Sequence, residues 1–434
     1  MSPAQPSAPP EPSPARPTVA VVGSGVSGLT AAYALRTSHD VTLFEAEPRL
    51  GGHAHTHDVR TSDGREVAVD SGFIVHNERT YPTLLRLFGE LGVQTRPTEM
   101  SMSVTCAGCG LSYAGSRGAR GLFAQRRRLL DPRYLRMLTE VPRFHRDART
   151  LLAHAPADDQ PTWGEFLARA RYSRYFVQHF AVPLIACVWS SGDDDALDYP
   201  ARHLFRFLEH HGMLTVGGSP TWRTVVGGSR TYVERVAGAL ADVRHASPVV
   251  AVERHDDGVS LRTADGRRAR FDQVVLATHA DDALAILADA SPEEKADLGA
   301  IGYSENRTWL HRDGSVLPAN RRARGSWNYR KDACDTGASR VLVSYWMTLL
   351  QGLPTRDDLV VTLNAPERVA PDAVIAEMTY RHPVFTTAAV TAAERLRTAG
   401  GPRLAFAGAH LGWGFHEDGA RSGLEAARRL GSTW

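Results

Sequence analysis

The stretch Thr18–Glu47, TVAVVGSGVSGLTAAYALRTSHDVTLFEAE, decides the fold. Its first five residues, Thr18–Val22, form an apolar run that is typical of a strand buried on both faces. A glycine-rich turn follows, then a helical stretch at Leu29–Leu35 and a second apolar run at Val41–Phe44. A strand, a helix and a second strand in this order predict the start of a parallel α/β sheet.

The glycines of that turn have the spacing GxGxxG. Gly23 permits a tight turn, Gly25 lets the backbone approach a pyrophosphate, and Gly28 lets the helix pack closely on the strand. The helix N-terminus stabilises phosphate charge, and Glu45, 17 residues after Gly28, can accept hydrogen bonds from ribose hydroxyls. The stretch therefore predicts a dinucleotide site. An acid with no arginine beside it disfavours a 2′-phosphate.

Two motifs downstream distinguish between NAD and FAD as the dinucleotide. Gly51-Gly52 follows the second strand, and an alternating strand ends in Asp70-Ser71-Gly72. This order resembles the flavin amine oxidase superfamily, in which the GG motif lies along the pyrophosphate and ribityl chain of FAD. The residue after GG is usually arginine there and is His53 here, so the resemblance implies no cationic side chain on the phosphates at this position.

The segment HLGWGFHEDGARSG, residues 410–423, is a second glycine-rich stretch. A strand at Arg403–Ala409 precedes it, and a helix is predicted to begin at Asp418 or Gly419. The resemblance implies that the chain returns here to the cofactor sheet and forms a second clamp on the cofactor. The segment contains no cysteine, which excludes a thioether-linked flavin there, so we expect FAD to be held non-covalently.

Pieces that match the superfamily run in the expected order over roughly residues 18–430, among them VGSGVSGL, LGGHAHT, VDSGFIVHN, VVGGSRTYV and GFHEDGARSG. They resemble a bacterial branch of predicted NAD/FAD-binding proteins. Members of this branch look like enzymes of unsaturated or methyl-branched fatty acyl chains. Relatives are encoded beside methyltransferases that resemble cyclopropane-fatty-acid synthase.

The resemblance and the motifs together give the predicted cofactor-binding residues. They are Gly23, Gly25, Val26, Ser27, Gly28, Glu45, Ala46, Gly51, Gly52, His53, Asp70, Ser71, Gly72, Val249, Val250, Ala277, Thr278, Gly408, Ala409, Phe415, Asp418, Gly419 and Ser422. The predicted catalytic residues are polar or aromatic: His416, Glu417, Tyr380 and Trp346, with His382 and Arg307 as weaker candidates.

The predicted reaction is hydride transfer from a substrate C–H bond to flavin N5. The resemblance implies oxidation or desaturation of a fatty acyl lipid, or double-bond isomerisation with no net oxidation. Two alternatives stay open: an amine or amino-acid oxidase, and a non-catalytic flavin-binding protein that presents lipid to a partner methyltransferase.

The lysine content argues against simple amine oxidation. Many amine oxidases of the superfamily hold a lysine near flavin N5, and the matching stretch here, GYSENRTWLH, contains none. The chain has only Lys295 and Lys331, and both are predicted to be exposed.

The fold class is α/β, or α+β over the whole chain. Residues 1–17 contain seven prolines and predict a disordered tail. Residues 18–77, 221–290 and 400–434 form a Rossmann-type FAD-binding domain that is discontinuous in sequence. Residues 78–220 and 291–399 form a substrate-binding domain with helices and an antiparallel or mixed sheet.

Charge is uneven along the chain. The formal net charge is +2, which gives no field for nucleic acid. Residues 117–149 carry ten arginines against Asp131, Glu140 and Asp147, interleaved with apolar residues. A solvated helix face is one interpretation, and contact with an anionic membrane or an anionic substrate is the other. With no apolar run long enough to span a bilayer, we expect a cytoplasmic protein, with peripheral membrane association as a further possibility.

The cysteines are Cys106, Cys109, Cys187 and Cys334. Cys106 and Cys109 form a lone CxxC with no second pair and no histidine at ligand spacing, so we interpret it as a plain turn and predict no metal site. A redox role or half of a metal site is the alternative.

Overall fold

The structure, a computed structural model, describes residues 16–154, 160–189, 197–215, 217–334, 342–364 and 366–434. The predicted disordered tail, residues 1–17, lies outside the described residues except for Arg16 and Pro17. No helix within the described ranges is both long enough and apolar enough to cross a membrane.

The described part of the chain contains runs of consecutive strands and one long run of helices, which begins at Gly118 and ends at His210. The strands are β1 (Thr18–Val22), β2 (Asp40–Phe44), β3 (Thr56–Arg60), β4 (Glu66–Asp70), β5 (Val75–Asn77), β6 (Thr95–Pro97), β7 (Met102–Cys106), β8 (Leu111–Ala114), β9 (Trp222–Val225), β10 (Asp242–Arg244), β11 (Val249–His255), β12 (Gly258–Thr263), β13 (Arg268–Phe271), β14 (Gln273–Leu276), β15 (Gly302–His311), β16 (Trp327–Lys331), β17 (Leu342–Trp346), β18 (Val360–Leu363), β19 (Val374–Val384) and β20 (Leu404–Phe406). The helices are α1 (Val26–Leu35), α2 (Pro82–Leu91), α3 (Gly118–Leu122), α4 (Pro132–His154), α5 (Trp163–Arg169), α6 (Arg174–Phe176), α7 (Val182–Trp189), α8 (Ala201–His210), α9 (Arg230–Gly238), α10 (Ala280–Ile286), α11 (Pro292–Gly299), α12 (Met347–Leu350), α13 (Thr387–Leu396) and α14 (His416–Arg429).

The first large sheet is parallel throughout and has the strand order β10-β2-β1-β14-β20. Val22 at the end of β1 pairs with Phe44 of β2 and Leu276 of β14, so three carboxyl ends meet at one edge. Side chains of α1 and α14 cover one face of this sheet, and the small antiparallel sheet β11-β12-β13 covers the other. This arrangement confirms the predicted Rossmann-type layer, built from segments far apart in sequence.

The second large sheet has seven strands in the order β19-β15-β18-β17-β16-β7-β8. Every pair is antiparallel except β7 with β16, so the sheet is mixed, as predicted for the substrate region. Helices α4 to α8 pack an aromatic core beside it, and Phe144, Trp163, Phe176 and Phe205 are buried there. The exact domain boundaries stay a prediction.

Candidate functional site

Residues of both large sheets line a single cavity of about 770 Å³. It begins at the carboxyl ends of β1, β2 and β14 and continues to aromatic side chains of β16, β17 and α7. Ligands of open α/β sheets bind in this position, outside the carboxyl ends of the strands.

The glycine-rich turn has the geometry that its spacing predicts. Gly23 has φ +102°, a left-handed conformation that glycine adopts without strain, and its N–H donates to Phe44 O over 2.8 Å. A β-carbon on Gly25 would meet nothing within 4 Å, which leaves the backbone before α1 open to the cavity. The open backbone and the N-terminus of α1 together can hold an anionic group.

Glu45 and the GG motif lie against this turn. The Glu45 carboxylate accepts hydrogen bonds from Ser24 N over 2.9 Å and from Ser24 Oγ over 2.6 Å. Gly51 N donates to Ser24 O over 3.1 Å, and a β-carbon on Gly52 would lie 3.2 Å from Gly25 Cα. The fold therefore brings the first three predicted motifs together at one end of the cavity.

Most of the predicted cofactor residues line the cavity. They are Gly23, Gly25, Val26, Ser27, Glu45, Ala46, Gly52, His53, Ser71, Gly72, Val249, Ala277, Thr278, Gly408, Ala409 and Phe415. The remaining seven do not line it: Gly28, Gly51, Asp70, Val250, Asp418, Gly419 and Ser422.

Asp70 is a structural residue and does not face the cavity. It is buried, and its carboxylate accepts from Ser229 N over 2.9 Å, from Thr56 Oγ1 over 2.6 Å and from Gln351 Nε2 over 2.9 Å. Burial raises the pKa of Asp70 to about 6, while these hydrogen bonds oppose that rise. The carboxylate thus joins β3 and β4 to the start of α9, which corrects its prediction as a cofactor ligand.

Val249 and Val250 were not separable by sequence. The structure places Val249 on the cavity, whereas Val250 points outward and is 37% exposed. The register of β11 on β12 shifts between Val249 and Ala251, and Val250 is the residue left without a partner on β12 at this irregularity.

The last helix begins at His416, two residues before Asp418 and three before Gly419, the two predicted starts. Asp418 caps that helix by accepting from Phe415 N over 3.1 Å. A β-carbon on Gly419 would lie 2.5 Å from Val26 Cγ1, so this glycine serves the close packing of α14 on α1. Ser422 Oγ accepts from Gly408 N over 2.9 Å. These residues hold the second clamp in place and lie behind the surface that lines the cavity.

His416 lines the cavity, as its predicted role requires. Its ring stacks on Phe73 with centroids 3.6 Å apart, and its Nε2 lies 2.9 Å from the Tyr232 hydroxyl. Burial lowers the pKa of His416 to about 3, so the imidazole is neutral.

Glu417 has a different function from the predicted one. Its carboxylate is buried and accepts from Thr83 N and Leu84 N, each over 3.0 Å. Those two amides lack partners within their own helix because they belong to the first turn of α2. Glu417 therefore caps α2, and its placement does not support a catalytic role.

Trp346 also lies away from the cavity, in an apolar cluster with Val316, Leu317 and Val360. Its neighbour Tyr345 faces the opposite side of β17 and lines the cavity, together with Trp327. The sequence identified the right strand but the wrong face. Arg307 is also excluded, because its side chain is 63% exposed beside Glu377.

Tyr380 lies on the cavity within a group of histidines. Its hydroxyl is 2.7 Å from Ser71 Oγ and 3.1 Å from His55 Nδ1, and burial raises the pKa of Tyr380 to about 12. The His53 ring lies 5.0 Å from the Tyr380 ring and 5.4 Å from that of His382.

The histidines of this group are neutral. Burial lowers the pKa of His382 to about 4 and that of His53 well below its usual value. His279, whose ring is 6.2 Å from His53, completes the group and was missed. Its position directly after strand β14, at the sheet edge where the cofactor motifs meet, was the signal that could have found it.

Neither lysine lines the cavity. Lys295 is exposed, as predicted. The prediction for Lys331 was wrong: it is 2% exposed, and its Nζ donates to Gln178 O over 3.3 Å.

The far end of the cavity is apolar. Its lining side chains there are Met100, Cys187, Val188, Trp189, Phe207, Met213, Trp222, Trp327, Tyr345 and Leu363. Within the described ranges, the charged residues that line the cavity come from the segment after β2, from α10 and from β19: Glu45, Glu47, Arg49, Asp282 and Arg381. The cavity thus has a polar dinucleotide end and an uncharged end.

Comparison with known proteins agrees with this geometry. The family model for flavin containing amine oxidoreductase matches residues 26–431. A stretch of 76 residues is 41% identical to polyamine oxidase 5 of Oryza sativa subsp. japonica, but that stretch covers only 17% of this chain and 15% of the relative.

Solved structures share the fold over nearly the whole chain. Cyclohexylamine oxidase from Brevibacterium oxydans has a TM-score of 0.69 at 18% identity and covers 96% of this chain and 98% of its own. A fatty acid isomerase from P. acnes that produces CLA has a TM-score of 0.68 at 16% identity, with 96% and 99% covered. Wild-type putrescine oxidase bound to putrescine has a TM-score of 0.66 at 16% identity, with 95% and 98% covered.

The chain belongs to the flavin-containing amine oxidoreductase family. It is an FAD-dependent oxidoreductase, and the described residues fit that cofactor. The space beside Gly25 and the N-terminus of α1 suit a pyrophosphate, the Glu45 carboxylate suits ribose hydroxyls, and the cavity continues past them toward the histidine group.

Proposed function

We propose that this oxidoreductase oxidises, desaturates or isomerises an unsaturated or methyl-branched fatty acyl chain. The observation that carries the proposal is the uncharged, largely aromatic and aliphatic end of the cavity. An alkyl chain buries its apolar surface there without leaving a charge unpaired, whereas a cationic ammonium would find no carboxylate among the described residues that line that end.

Bound FAD supplies an acceptor for a hydride. The chain supplies hydrogen-bonding groups at the middle of the cavity. Tyr380 stays protonated because burial holds its pKa near 12, so its hydroxyl is a donor at neutral pH. His382 and His416 stay neutral and orient a bound group by hydrogen bonding without adding a charge. We further propose that FAD is bound non-covalently, because the stretch of residues 403–423 contains no cysteine.

The test is a substrate panel under anaerobic conditions. Holoenzyme is mixed with an unsaturated fatty acid, a methyl-branched fatty acid, cyclohexylamine or putrescine. The flavin absorbance is recorded and the fatty acids are analysed by gas chromatography with mass spectrometry. Loss of the oxidised flavin band with a fatty acid, or a shifted double bond with the flavin unchanged, supports the proposal.

Amine oxidation is the second candidate. It is favoured by the structural likeness to cyclohexylamine oxidase and putrescine oxidase. Flavin reduction by an amine, with no change in any fatty acid, would establish it in place of the lipid reaction. A flavin and lipids that stay unchanged throughout the panel would favour the non-catalytic presentation of lipid to a methyltransferase.

We also propose that the arginine-rich segment contacts an anionic membrane from the cytoplasmic side. Leu130 is 89% exposed and Leu129 51% exposed, in a short turn beside the exposed side chains of Arg126, Arg127 and Arg133. Exposed leucines insert among lipid acyl chains while neighbouring arginines bind anionic headgroups. This contact would place the protein next to its proposed substrate.

A further inference from the structure

The geometry points to a structural zinc site formed by Cys106, Cys109, Cys334 and His179. The three sulfur atoms and a histidine nitrogen all lie within 4.8 Å of one another. Cys334 is 228 residues from Cys106, and His179 is 70 residues from Cys109. The sequence interpretation of a plain turn was therefore incomplete, because two of the four ligands are near the CxxC only in space.

The spacing of the ligand atoms suits a tetrahedral ion. Cys106 Sγ and Cys334 Sγ are 3.7 Å apart, and Cys109 Sγ is 3.4 Å from His179 Nε2. Zinc–sulfur bonds of about 2.3 Å and zinc–nitrogen bonds of about 2.05 Å at tetrahedral angles give sulfur–sulfur and sulfur–nitrogen separations of about 3.8 and about 3.6 Å. Three thiolates with one imidazole are a donor set typical of structural zinc.

Local geometry prepares the histidine and the turn that carries two of the cysteines. His179 Nδ1 lies 3.0 Å from Tyr175 O, so this nitrogen donates to the carbonyl and leaves the Nε2 lone pair facing Cys109. Gly110 has φ +64°, which closes the turn after the second cysteine without strain.

The surroundings also supply positive charge. Three thiolates and Zn²⁺ leave one net negative charge. Lys331 of β16 is buried and pairs in register with Cys106 of β7. Its ammonium donates to Gln178 O, and Gln178 directly precedes His179. Arg128 is buried as well and donates to Cys109 O over 2.8 Å. Arg128 is already paired with Asp131 over 2.7 Å, so the counter-charge of a metal–thiolate centre serves Lys331.

A disulfide is the competing chemistry for the same sulfurs. A Cys106–Cys334 bond requires the sulfurs to approach from 3.7 Å to about 2.05 Å. It would not account for the placement of Cys109 and His179 beside them. Zinc accounts for all four groups at once.

The site joins three elements that surround the substrate end of the cavity. Cys106 ends β7, Cys334 follows β16, and His179 lies in the π-helical turn Val177–Ala181 that leads into α7. Three residues of α7, Cys187, Val188 and Trp189, line the cavity. We therefore assign the metal a structural role, in which it fixes α7 and the β7–β8 turn against the sheet.

The metal content of holoenzyme is measured after purification from cells grown with zinc. The proteins compared are wild type, Cys109→Ser, Cys334→Ser and the control Cys187→Ser. Cys187 is the fourth cysteine and lies outside the cluster. We expect about one zinc per chain in wild type and in the control, and loss to background in the two cluster variants. Zinc retained by either cluster variant would overturn the assignment.

A second measurement needs no variant. Wild-type protein treated with a chelator is reconstituted with Co²⁺ and its absorption spectrum is recorded. The assignment predicts tetrahedral d–d bands with sulfur-to-cobalt charge transfer, and a fall in unfolding temperature when the metal is removed. A wild-type protein that binds neither metal, or a Cys106–Cys334 disulfide found by non-reducing peptide mapping of the freshly isolated protein, would contradict it.

Discussion

Gly28 on α1 lies so close to Gly23 that a β-carbon there would stand 1.8 Å from the Gly23 carbonyl oxygen. The helix can approach the end of β1 only because residue 28 has no side chain. We predict that Gly28→Ala prevents folding of the cofactor sheet, because backbone lies on the far side of the clash and cannot move away cheaply. The yield of folded, yellow protein measures this, and a normal yield of Gly28→Ala would contradict the packing.

Gly25 provides the matched comparison. Its φ of −62° is open to any residue, and a β-carbon there meets no protein atom within 4 Å. Gly25→Ala should therefore fold normally yet bind FAD at least tenfold more weakly, since the added methyl enters the space proposed for the pyrophosphate. FAD affinity is measured by reconstituting the apoprotein. Equal FAD affinity in wild type and Gly25→Ala would show that the cofactor does not bind at this end of the cavity.

Glu417 tests the distinction between structure and catalysis. Glu417→Gln weakens two hydrogen bonds to the first turn of α2, so we expect a loss of stability of about 1–3 kcal/mol with kcat little changed. Chemical unfolding and steady-state kinetics measure the two effects. Glu425→Gln, on the half-exposed side of the same helix as Glu417, is the control and should change neither the stability nor kcat. A large fall in kcat with unchanged stability would restore the catalytic role that the sequence predicted.

The buried histidines make stability depend on pH. Burial lowers the pKa of His382 from 6.5 to about 4, so between those values the unfolded chain binds a proton that the folded chain does not. The contribution of neutral His382 to the free energy of unfolding is fully present above pH 6.5 and is lost as the pH falls toward 4. The free energy of unfolding should decline over that range, and less steeply in His382→Gln. An identical slope in both proteins would show that His382 is not neutralised by burial.

Vesicle binding tests the membrane contact. We predict that wild type sediments with vesicles containing phosphatidylglycerol and not with pure phosphatidylcholine, and that high salt releases it. Leu129→Glu/Leu130→Glu should abolish sedimentation. Arg267→Gln/Arg268→Gln, at the junction of the β12–β13 turn and β13, lowers the net charge by the same two units outside the segment and should not. Similar losses in both double variants would leave only non-specific attraction to net charge.

The features predicted correctly from the sequence are local ones. The GxGxxG turn, Glu45 and the GG motif act through neighbouring backbone, so their spacing determines their geometry, and the structure brings them together. Hydrophobic patterning likewise identified β1, β2 and β20 of the parallel sheet.

The residues that were misplaced depend on long-range partners or on the face of an element. Glu417 follows a cavity-lining residue, but its carboxylate is directed to α2, whose amides the sequence could not place beside it. Trp346 and Tyr345 differ only by strand alternation. Lys331 was predicted to be exposed because the sequence does not show that β16 pairs with β7, which brings Lys331 and Cys334 next to the CxxC turn.

The central claim is that one cavity binds FAD at its glycine end and an acyl chain at its aromatic end. The most direct test is the flavin difference spectrum during titration with a saturated fatty acid. Such a fatty acid can bind but offers no double bond. We predict a saturable perturbation in wild type and in Val226→Glu, an exposed position outside the cavity, and a much weaker one in Met213→Glu, which places a charge in the apolar end. No perturbation of wild type by any fatty acid, together with a saturable one by cyclohexylamine or putrescine, would contradict the claim.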